Sequence, residues 1–417
     1  MIFERKYYLN QLIHGMGNGM VKIVTGIRRC GKSFLLFNLF RNHLLQNGVR
    51  EDHIIGLSLD DLRNSELRNP IKLLDYIESK LQNDGTTHYV ILDEVQLVDR
   101  FVEVLLSLMH LPNLEIYVSG SNSKFLSSDI VTEFRGRGDE IRVYPLTMSE
   151  LMEEMNADFY SALKLYFRYG GLPQAVLQGD EHKREEFLRV MYDTTYLRDV
   201  VERNHLRNVL GMRELVQVLA SNIGATTNPR KIANTFKSAA KTELSENSIR
   251  QYINHLQDAF IIQEAQRYDI KGRKYIGANS KYFFADMGIR NVVLNFRQEE
   301  APHIMENVIY NELIARGYLV DVGAVESWKA DKDTTEERKT YEVDFVINKG
   351  NQRYYIQSAY AMPTQEKLQQ ELRSLLSIDD SFKKIVIVYE DILSYRNDDG
   401  ILIMGLKEFL LNRQSIE

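Results

Sequence analysis

The chain has 417 residues, 44% of them hydrophobic and 26% charged, which is ordinary for a soluble globular protein of about two to four domains. Its apolar runs are shorter than the ~18–20 residues of a membrane helix, and its N-terminus is charged where a signal peptide needs an apolar core, so we expect a cytoplasmic protein without membrane contact. The single cysteine, Cys30, excludes an internal disulfide and a thiolate zinc cluster, and the net charge of -6 argues against capture of nucleic acid by the whole chain, though not by a local basic face.

Predicted strands and helices alternate over residues 20–144, within a first domain predicted over residues 1–150. Helical apolar spacing predicts a helix over 34–46 that ends at Asn47-Gly48. Short apolar runs predict strands over 20–25, 54–59, 89–93, 115–120 and 140–146. Such strands, separated by helices, indicate an α/β fold with a parallel sheet that is covered on both faces.

The segment GIRRCGKS at 26–33 fits the phosphate-loop pattern G-x-x-x-x-G-K-[ST], between a predicted strand and a predicted helix. Gly26 and Gly31 allow the backbone to approach a phosphate, and successive N–H groups at the positive end of the helix then point at it. Lys32 supplies a point charge for the β- and γ-phosphates, and Ser33 supplies a hydroxyl ligand for Mg²⁺.

ATP and Mg²⁺ are therefore the expected ligands of this loop. The position of Cys30 beside the phosphates predicts that thiol modification inhibits the protein and that ATP protects the thiol from alkylation. The residues predicted to bind the nucleotide are Gly26, Ile27, Arg28, Arg29, Cys30, Gly31, Lys32, Ser33 and Phe34.

Two further predicted strands end in polar residues. YVILDEVQ at 89–96 ends its strand at Asp93, which suits Mg²⁺ directly or through water, and Glu94 is placed to polarise an attacking water. VSGSNS at 118–123 contains Ser121 and Asn122, which we interpret as sensors near the γ-phosphate. An ordinary turn explains these two residues equally well.

A glycine-flanked loop in EFRGRGDEIRVYPL (133–146) contains Arg135 and Arg137. An arginine delivered to the γ-phosphate of a neighbouring copy can supply much of the rate of hydrolysis. On the residues alone, a solvated basic loop is the simpler interpretation.

With these motifs in this order, the chain resembles bacterial and archaeal AAA-type ATPases that carry a C-terminal restriction-endonuclease-like domain of unknown function. The resemblance implies ATP and Mg²⁺ at the loop, Asp93 and Glu94 as the acidic pair, and Arg137 at an arginine-finger-like position. It implies nothing firm about the substrate. It covers nearly the whole chain and rests on seven blocks: VTGIRRCGKS, VILDEVQ, VSGSNS, FRGRGDEIRVYPLTMSEL, YGGLPQAV, TYLRDVVERN and KYFFADMGIRN.

Residues 151–204 are predicted to form a helical lid or connector, broken at Gly170-Gly171-Leu172-Pro173. Residues 205–290 are predicted to form a winged helix-turn-helix whose hairpin turns at Lys271-Gly272. The elements expected within it are a helix over 228–240, a helix over 245–260 and a hairpin over 261–286.

This middle region is basic. Residues 205–282 contain twelve Lys or Arg and six Asp or Glu, a difference of +6 within a chain whose total is -6. A basic module on an acidic protein is the footprint expected of nucleic-acid contact, although a protein-interaction module explains it about equally well. The candidate DNA contacts are Arg250, Lys271, Arg273 and Lys274.

The resemblance implies an endonuclease-like α/β core of PD-(D/E)xK type over 300–410. Such nucleases hold Mg²⁺ with a helix glutamate and an aspartate, and they use an E-x-K pair on the next strand. The chain offers Glu306 or Glu312 and then Asp344, but Gln357 and Ala359 stand where the second acid and the lysine belong. We therefore expect a degenerate domain that does not cleave DNA and serves docking or oligomerisation.

A charged loop is expected between two strands of that domain, over 323–344. The function expected of the whole chain is Mg²⁺-dependent ATP hydrolysis, coupled to engagement of DNA or a protein by the C-terminal modules. The alternatives are a nucleotide-gated switch with negligible turnover and, disfavoured by Gln357 and Ala359, an ATP-driven nuclease. GTP is disfavoured because the chain has no N-K-x-D motif, and a homo-oligomer is required if Arg137 acts in a neighbouring copy.

Overall fold

A computed structural model describes residues 2–121, 134, 136–239, 244–298, 300–329, 337–361 and 365–417. The chain divides into two compact units. Unit 1 contains Met1–Pro145 together with Asp258–Phe260, and unit 2 contains Leu146–Gln257 together with Ile261–Glu417.

Unit 1 is built on a five-stranded sheet. Its strands are β1 Val21–Thr25, β2 Ile54–Ser58, β3 His88–Asp93, β4 Leu114–Ser119 and β5 Gly138–Arg142. Their order across the sheet is β2-β3-β4-β1-β5, and every neighbouring pair is parallel. All residues of β1 and β3 are buried, as expected for strands covered on both faces. The predicted strands and the parallel sheet are confirmed.

Helices cover this sheet. Leu73 and Ile77 of one helix and Leu105 of another share an apolar cluster with Val90 and Ile116 of the sheet. The helix predicted over 34–46 begins two residues earlier, at Lys32. The helices are α1 Lys6–His14, α2 (Lys32–Phe34, the π-helical segment Leu35–Phe40 and Arg41–Gln46), α3 Pro70–Lys80 and α4 Phe101–Leu108, with short 3₁₀ turns at Glu51–His53, Leu62–Arg68 and Val95–Leu97.

Strand register brings three strand ends together at one edge of the sheet. Val24 of β1 pairs with Ser119 of β4, and Leu92 of β3 pairs with Val118 of β4. The backbone N–H of Gly120 also donates to the carbonyl of Val24 at 3.1 Å. The segments that follow β1, β3 and β4 therefore leave the sheet side by side.

Unit 2 begins with helices, as predicted for 151–204. They are α5 Met148–Glu154, α6 Phe159–Tyr169, α7 Pro173–Val176 and α8 (Glu181–Met191, the π-helical segment Tyr192–Leu197 and Arg198–Arg203). The predicted break lies between α6 and α7, where Gly170 has a φ of 74°. That left-handed conformation favours glycine, which has no Cβ to clash.

The rest of unit 2 combines helices with an eight-stranded sheet. The remaining helices are α9 Val209–Ser221, α10 Pro229–Ala239, α11 Glu246–Asp258, α12 Met287–Val293, α13 Ala301–Ala315, α14 Gln365–Leu376 and α15 Leu406–Leu411. The strands are β6 Ile262–Asp269, β7 Lys274–Phe284, β8 Leu319–Lys329, β9 Glu337–Lys349, β10 Gln352–Ala359, β11 Lys383–Val388, β12 Tyr395–Arg396 and β13 Leu402–Gly405. Their order is β12-β13-β11-β10-β9-β8-β6-β7.

The predicted hairpin is part of this sheet. β6 and β7 pair antiparallel, and α10 and α11 precede them as the sequence predicted. β6 also pairs in parallel with β8, from Arg267 opposite Val322 to Asp269 opposite Ala324. The winged-helix assignment remains a prediction, because the hairpin continues into a larger sheet.

The expectation of a charged loop over 323–344 is wrong for most of that range. β8 runs to Lys329 and β9 begins at Glu337, and the two strands form a long antiparallel pair. Val325 and Val343 are fully buried, whereas Glu342 has 38% of its side chain exposed. The two strands are held together by backbone pairing, which does not depend on side-chain charge and which local charge density does not reveal.

A buried carboxylate holds the Gly-Gly break against the start of α12. Asp286 Oδ2 accepts from Gly171 N at 2.6 Å, and Oδ1 accepts from Gly288 N at 2.8 Å and Ile289 N at 3.3 Å. A Cβ added to Gly170 would lie 2.1 Å from Asp286 Oδ1. The YGGLP and FADMG segments are therefore in direct contact.

Candidate functional site

The loop between β1 and α2 requires its glycines. Gly26 has a φ of 139°, and a Cβ there would lie 2.1 Å from the carbonyl oxygen of Val143. Gly31, at the start of α2, has a φ of 104°. Arg29 also adopts a positive φ, 69°. The loop is thus a sharply turned segment that ends at the N-terminus of a helix, which is the geometry that presents backbone N–H groups to an anion.

The lysine of the loop is held within it. Lys32 is 4% exposed, and its Nζ donates to the carbonyls of Gly26 at 2.9 Å and Ile27 at 3.1 Å. Ser33 and Phe34 are exposed at the start of α2. Lys32 and Ser33 are therefore adjacent to each other at the point where the loop enters α2.

The thiol of the loop is not accessible. Cys30 is fully buried, and its Sγ contacts the carbonyl oxygen of Val143 at 3.4 Å, within hydrogen-bonding range for sulfur. The expectation that thiol modification of Cys30 inhibits the protein is wrong for the folded loop, because the sulfur is buried.

The acidic pair follows β3 at the same edge of the sheet. Asp93 is 4% exposed and accepts a hydrogen bond from Ser119 Oγ. Glu94 N in turn donates to Ser119 Oγ at 3.3 Å. Glu94 has φ 52° and ψ 45°, a left-handed conformation that costs a non-glycine residue about 1–3 kcal/mol and is concentrated at functional sites.

Two side chains hold the Glu94 carboxylate. Ser121 Oγ donates to Glu94 Oε2 at 3.1 Å, and Gln96 Nε2 donates to the same oxygen. The structure therefore brings together Glu94 and the predicted sensor Ser121. Asn122, the other predicted sensor, and Arg135 lie outside the described residues. The sequence did not single out Ser119 or Gln96, although Ser119 belongs to the VSGSNS block.

Arg137 directly precedes β5, at the end of the sheet where β1 and β5 begin, opposite to the end that carries the phosphate loop. Its carbonyl accepts from Val21 N at 2.9 Å, and Gly138 pairs with Val21 at the beginning of β1. The phosphate loop leaves β1 at the other end, after Thr25, and four residues of strand rise about 13 Å. The Arg137 side chain is exposed and is separated from the phosphate loop of its own chain by the length of the strand.

The residues present fit a nucleotide with Mg²⁺. The cradle that a Cβ at Gly26 would fill, the ammonium of Lys32 and the exposed hydroxyl of Ser33 suit phosphate oxygens and a hard cation. The buried carboxylate of Asp93 adds the oxygen ligand that Mg²⁺ prefers.

A separate polar cluster lies in unit 2. Lys281 of β7 is 1% exposed, and its Nζ lies 2.7 Å from Glu306 Oε1, 2.6 Å from Glu342 Oε1 and 3.7 Å from Asp344 Oδ1. Glu306 is on α13, and the other two acids are on β9. We call these four residues the Lys281 cluster. The sequence offered Glu306 or Glu312, together with Asp344, as the metal-holding acids of this domain, and it did not single out Lys281 or Glu342.

Burial and mutual charge shift the titration of this cluster. Burial alone lowers the pKa of Lys281, but Glu306, Asp344 and Glu342 outweigh it and hold the pKa above its ordinary value. Burial, followed by the charge of Glu306, raises the pKa of Asp344 despite the opposing effect of Lys281. A hydrogen bond to Glu306 raises the pKa of His303.

The other residues that the sequence singled out in this domain are not members of the cluster. Glu312 binds Arg316 at 2.7 Å, and burial raises the pKa of that carboxyl. Gln357 Oε1 accepts from Asp344 N at 3.4 Å, and Ala359 is buried in the apolar core. The side chain of Gln357 therefore holds the backbone N–H of Asp344. Ala359 is apolar and adds no charged group to the cluster.

The four candidate DNA contacts are in two places. Lys271, Arg273 and Lys274 surround the turn between β6 and β7, where Lys271 lies 3.6 Å from Asp379. Arg250 is on α11, which precedes the other end of the hairpin, and it pairs with Glu246 at 3.2 Å. Seven residue steps of β6 rise about 23 Å, so Arg250 is not part of the group at the turn.

Comparison with known proteins agrees with the phosphate loop. Residues 18–152 match the family described as "AAA domain", residues 160–300 match a domain of unknown function (DUF8612), and residues 302–409 match another (DUF4143). This chain belongs to the AAA-type P-loop ATPases that carry these two further domains. The assignment supports nucleotide binding by the domain at residues 18–152.

Similar proteins share this organisation. An uncharacterised protein of Haemophilus influenzae is 31% identical over 418 residues, covering 98% of this chain and 99% of the relative. An uncharacterised protein of Methanocaldococcus jannaschii is 28% identical over 398 residues, covering 91% and 83%. A Walker-type ATPase of Pyrococcus abyssi has a similar fold, with a TM-score of 0.50, 18% identity and coverage of 70% of this chain and 96% of that one.

The described part of this ATPase contains no helix that is long and apolar enough to span a membrane.

Proposed function

We propose that this chain hydrolyses ATP in the presence of Mg²⁺, with Glu94 positioning the attacking water. The observation that carries the proposal is the fixed carboxylate of Glu94, which accepts from Ser121 and Gln96 beside the buried Asp93. A protein that only bound nucleotide would not need a strained residue whose carboxylate is held in one orientation.

In this mechanism the backbone N–H groups of residues 26–33 and the ammonium of Lys32 hold the β- and γ-phosphates. Ser33 and Asp93 would hold Mg²⁺, which neutralises charge on the phosphate oxygens. Glu94 accepts a hydrogen bond from the attacking water and orients it towards the γ-phosphorus. Ser121, as the sensor, links the position of that carboxylate to the end of β4.

Arg137 completes this site from a second copy of the chain. It starts from the edge of the sheet opposite to the loop, so a neighbour in a homo-oligomer is the molecule to which it can deliver its guanidinium. A positive charge on the γ-phosphate oxygens stabilises the transition state of phosphoryl transfer.

The position of Arg137 at the far end of the sheet also favours a second candidate function, a nucleotide-gated binding switch with negligible turnover. A single copy would bind ATP without an arginine at the γ-phosphate and would hydrolyse it slowly. Turnover per chain that rises steeply with protein concentration supports the assembled hydrolase. Turnover that stays negligible at every concentration, with tight ATP binding, supports the switch.

We further propose that the nucleotide state is coupled to engagement of DNA or a protein by unit 2. The exposed cations of the hairpin turn, Lys271, Arg273 and Lys274, are the proposed DNA contacts, with Arg250 as a separate one. We propose no DNA cleavage, because Ala359 is uncharged and the Lys281 ammonium already contacts the carboxylates of its cluster. Stimulation of ATP hydrolysis by duplex DNA, lost when the three turn residues become alanine, tests the coupling.

The central experiment replaces Glu94 with glutamine. Loss of the carboxylate should lower Mg²⁺-dependent phosphate release at least about a hundredfold, the usual contribution of a general base, while the Kd for ATP stays within about threefold. Glu103→Gln, an exposed glutamate on α4 paired with Arg100, is the matched control. Unchanged phosphate release in Glu94→Gln would remove Glu94 from the mechanism.

A further inference from the structure

Unit 2 contains a cavity of about 510 Å³ that none of the described motifs explains. Its walls come from α6, from α12, the start of α13 and the segment between them, and from the residues that directly follow β10 and β11. The volume is within the range of sites for small organic ligands. It is far larger than a single phosphate or metal ion needs.

One wall is aromatic. The ring centroids of Tyr160 and Tyr389 are 5.7 Å apart, and those of Tyr360 and Tyr389 are 4.8 Å apart. Phe167 and Phe296 also line the cavity. Flat aromatic faces are the surfaces on which planar heterocycles stack, with a gain of about 1–3 kcal/mol per base in proteins that bind single strands.

Phe296 reaches this cavity through strained backbone. Asn295 and Phe296 have φ values of 53° and 57°, and a bulky residue rarely adopts that conformation. Such strain persists only where the surrounding structure imposes it, and it is concentrated at ligand sites.

The cavity also has two basic side chains in its lining. Lys164 and Arg168 line it, and none of its described lining residues is acidic. Arg168 is paired with Glu185 at 3.1 Å, whereas Lys164 is exposed and forms no salt bridge within the described part of the chain. Ala301 and Ile304, in the first turn of α13, line it as well. The N-terminus of this 15-residue helix favours an anion, and the carboxylate of its N-cap residue Glu300 is already paired with Arg290 at 3.0 Å.

We propose that this cavity binds a nucleotide unit, with its base stacked on the tyrosine wall and its phosphate beside Lys164 and the N-terminus of α13. A purely apolar ligand would leave the lysine and the helix end without a partner, and a simple anion would leave the aromatic wall in water. A free mononucleotide and a nucleotide of a single strand have the same chemistry, and both fit. The site is separate from the phosphate loop, so it gives the protein a second place to sense nucleotides.

The test uses the full chain with Lys32→Ala, which removes the phosphate-binding lysine of the first site. Two probes are added separately: 2-aminopurine riboside 5′-monophosphate, and a thymidine hexamer that carries one 2-aminopurine. Stacking on tyrosine should quench the fluorescence with a saturating dependence on protein. Quenching of the monophosphate identifies a free nucleotide as ligand, and quenching of the hexamer alone identifies a single strand.

Lys164→Ala and Tyr389→Ala, each added to Lys32→Ala, should weaken the binding at least about tenfold, the factor that one lost stacking or charge contact provides. The unphosphorylated riboside should bind about tenfold more weakly than the monophosphate, and this difference should vanish in Lys164→Ala. Lys183→Ala and Tyr395→Ala, exposed residues away from the cavity, are the controls.

Because Lys164 is exposed, its replacement leaves the fold intact, and an unchanged thermal unfolding curve verifies this. No quenching of either probe up to about 1 mM overturns the proposal. Quenching that Lys164→Ala and Tyr389→Ala leave unchanged also overturns it, because the probe then binds elsewhere. Neither outcome affects the proposed hydrolysis, which is measured with Lys32 in place.

Discussion

Ser121 Oγ donates a hydrogen bond of 3.1 Å to Glu94 Oε2. The serine follows β4 and the glutamate follows β3, so this bond ties two strand ends at the carboxyl edge of the unit 1 sheet. It fixes the carboxylate that we propose as the group that positions water, and it makes the orientation of Glu94 depend on the segment after β4.

Ser121→Ala should therefore lower kcat for ATP hydrolysis about tenfold or more, since a hydrogen bond to a charged group contributes about 1.5–3 kcal/mol. The Kd for ATP should stay within about twofold, because the hydroxyl contacts Glu94 and not the loop. Steady-state phosphate release and equilibrium nucleotide binding measure the two quantities. Ser79→Ala, which removes a surface hydroxyl on α3, is the control. A variant with normal kcat and weakened ATP binding would contradict this role.

The position of Arg137 predicts complementation between inactive copies. Arg137→Ala retains Glu94, and Glu94→Gln retains Arg137, so an assembly of the two contains sites with both groups. Each variant alone should be at least about a hundredfold slower than wild type, in line with the contribution of a supplied arginine. An equimolar mixture should recover a measurable fraction of wild-type turnover. Arg100→Ala, which removes an exposed arginine, should retain normal turnover. A mixture no faster than its separate components would exclude action between copies.

Asp286 predicts an unusual dependence of stability on pH. Burial raises the pKa of this carboxyl from 3.8 to about 6, against the lowering effect of its backbone hydrogen bonds. Between these values the native state binds more protons than the unfolded state, so the contribution of Asp286 to the free energy of unfolding increases as the pH falls through 6. Relative to Asp286→Asn, wild type should gain up to about 3 kcal/mol between pH 7.5 and pH 4.

Denaturant unfolding at several pH values measures this difference. Asp158, the exposed cap of α6, is the control, because a hydrogen bond from Ser161 lowers the pKa of its carboxyl. Its contribution is lost as the pH falls, so Asp158→Asn should show the opposite trend. If the difference between wild type and Asp286→Asn did not vary with pH, the carboxyl would have an ordinary pKa.

The Lys281 cluster predicts a large stability effect from one lysine. Lys281→Met leaves Glu306, Glu342 and Asp344 without their shared cation and should lower the free energy of unfolding by about 3–5 kcal/mol. Adding Glu306→Gln should restore part of this loss, because one of the uncompensated charges is removed. Lys271→Met breaks only the surface pair with Asp379 and should cost less than about 1 kcal/mol. Equal losses in the two lysine variants, measured by denaturant unfolding, would contradict the central position of Lys281.

The sequence predicted what depends on local pattern. The five strands of unit 1, the phosphate loop and the acids after β3 follow from apolar runs and from residue types at fixed spacing. Contacts between residues that are far apart in the sequence could not be predicted in this way. Lys281 is 25 residues from Glu306 and 63 from Asp344, and its local context reads as an ordinary strand of a hairpin. The pairing of β6 with β8, together with the hydrogen bonds between Phe284 and Asn307, brings that hairpin to the C-terminal acids.

The same limit explains the wrong and incomplete expectations. Cys30 is adjacent in sequence to a phosphate-binding glycine, but the turn of the loop directs its sulfur to Val143, 113 residues away. The YGGLP and FADMG segments were recognised as separate blocks, and their contact through Asp286 needed the tertiary structure. Long strands that carry several charged residues, such as β8 and β9, do not differ from loops in local charge density.

The three-residue ladder between β6 and β8 has a consequence for how this protein can be divided. The two domains of unknown function meet near residue 300, but one hydrogen-bonded sheet continues from Asp269 to Ala324 across that boundary. A cut at the boundary would leave an open sheet edge on each fragment, and such edges recruit other chains and aggregate. The two parts of unit 2 on either side of that boundary should therefore not be produced separately in soluble form.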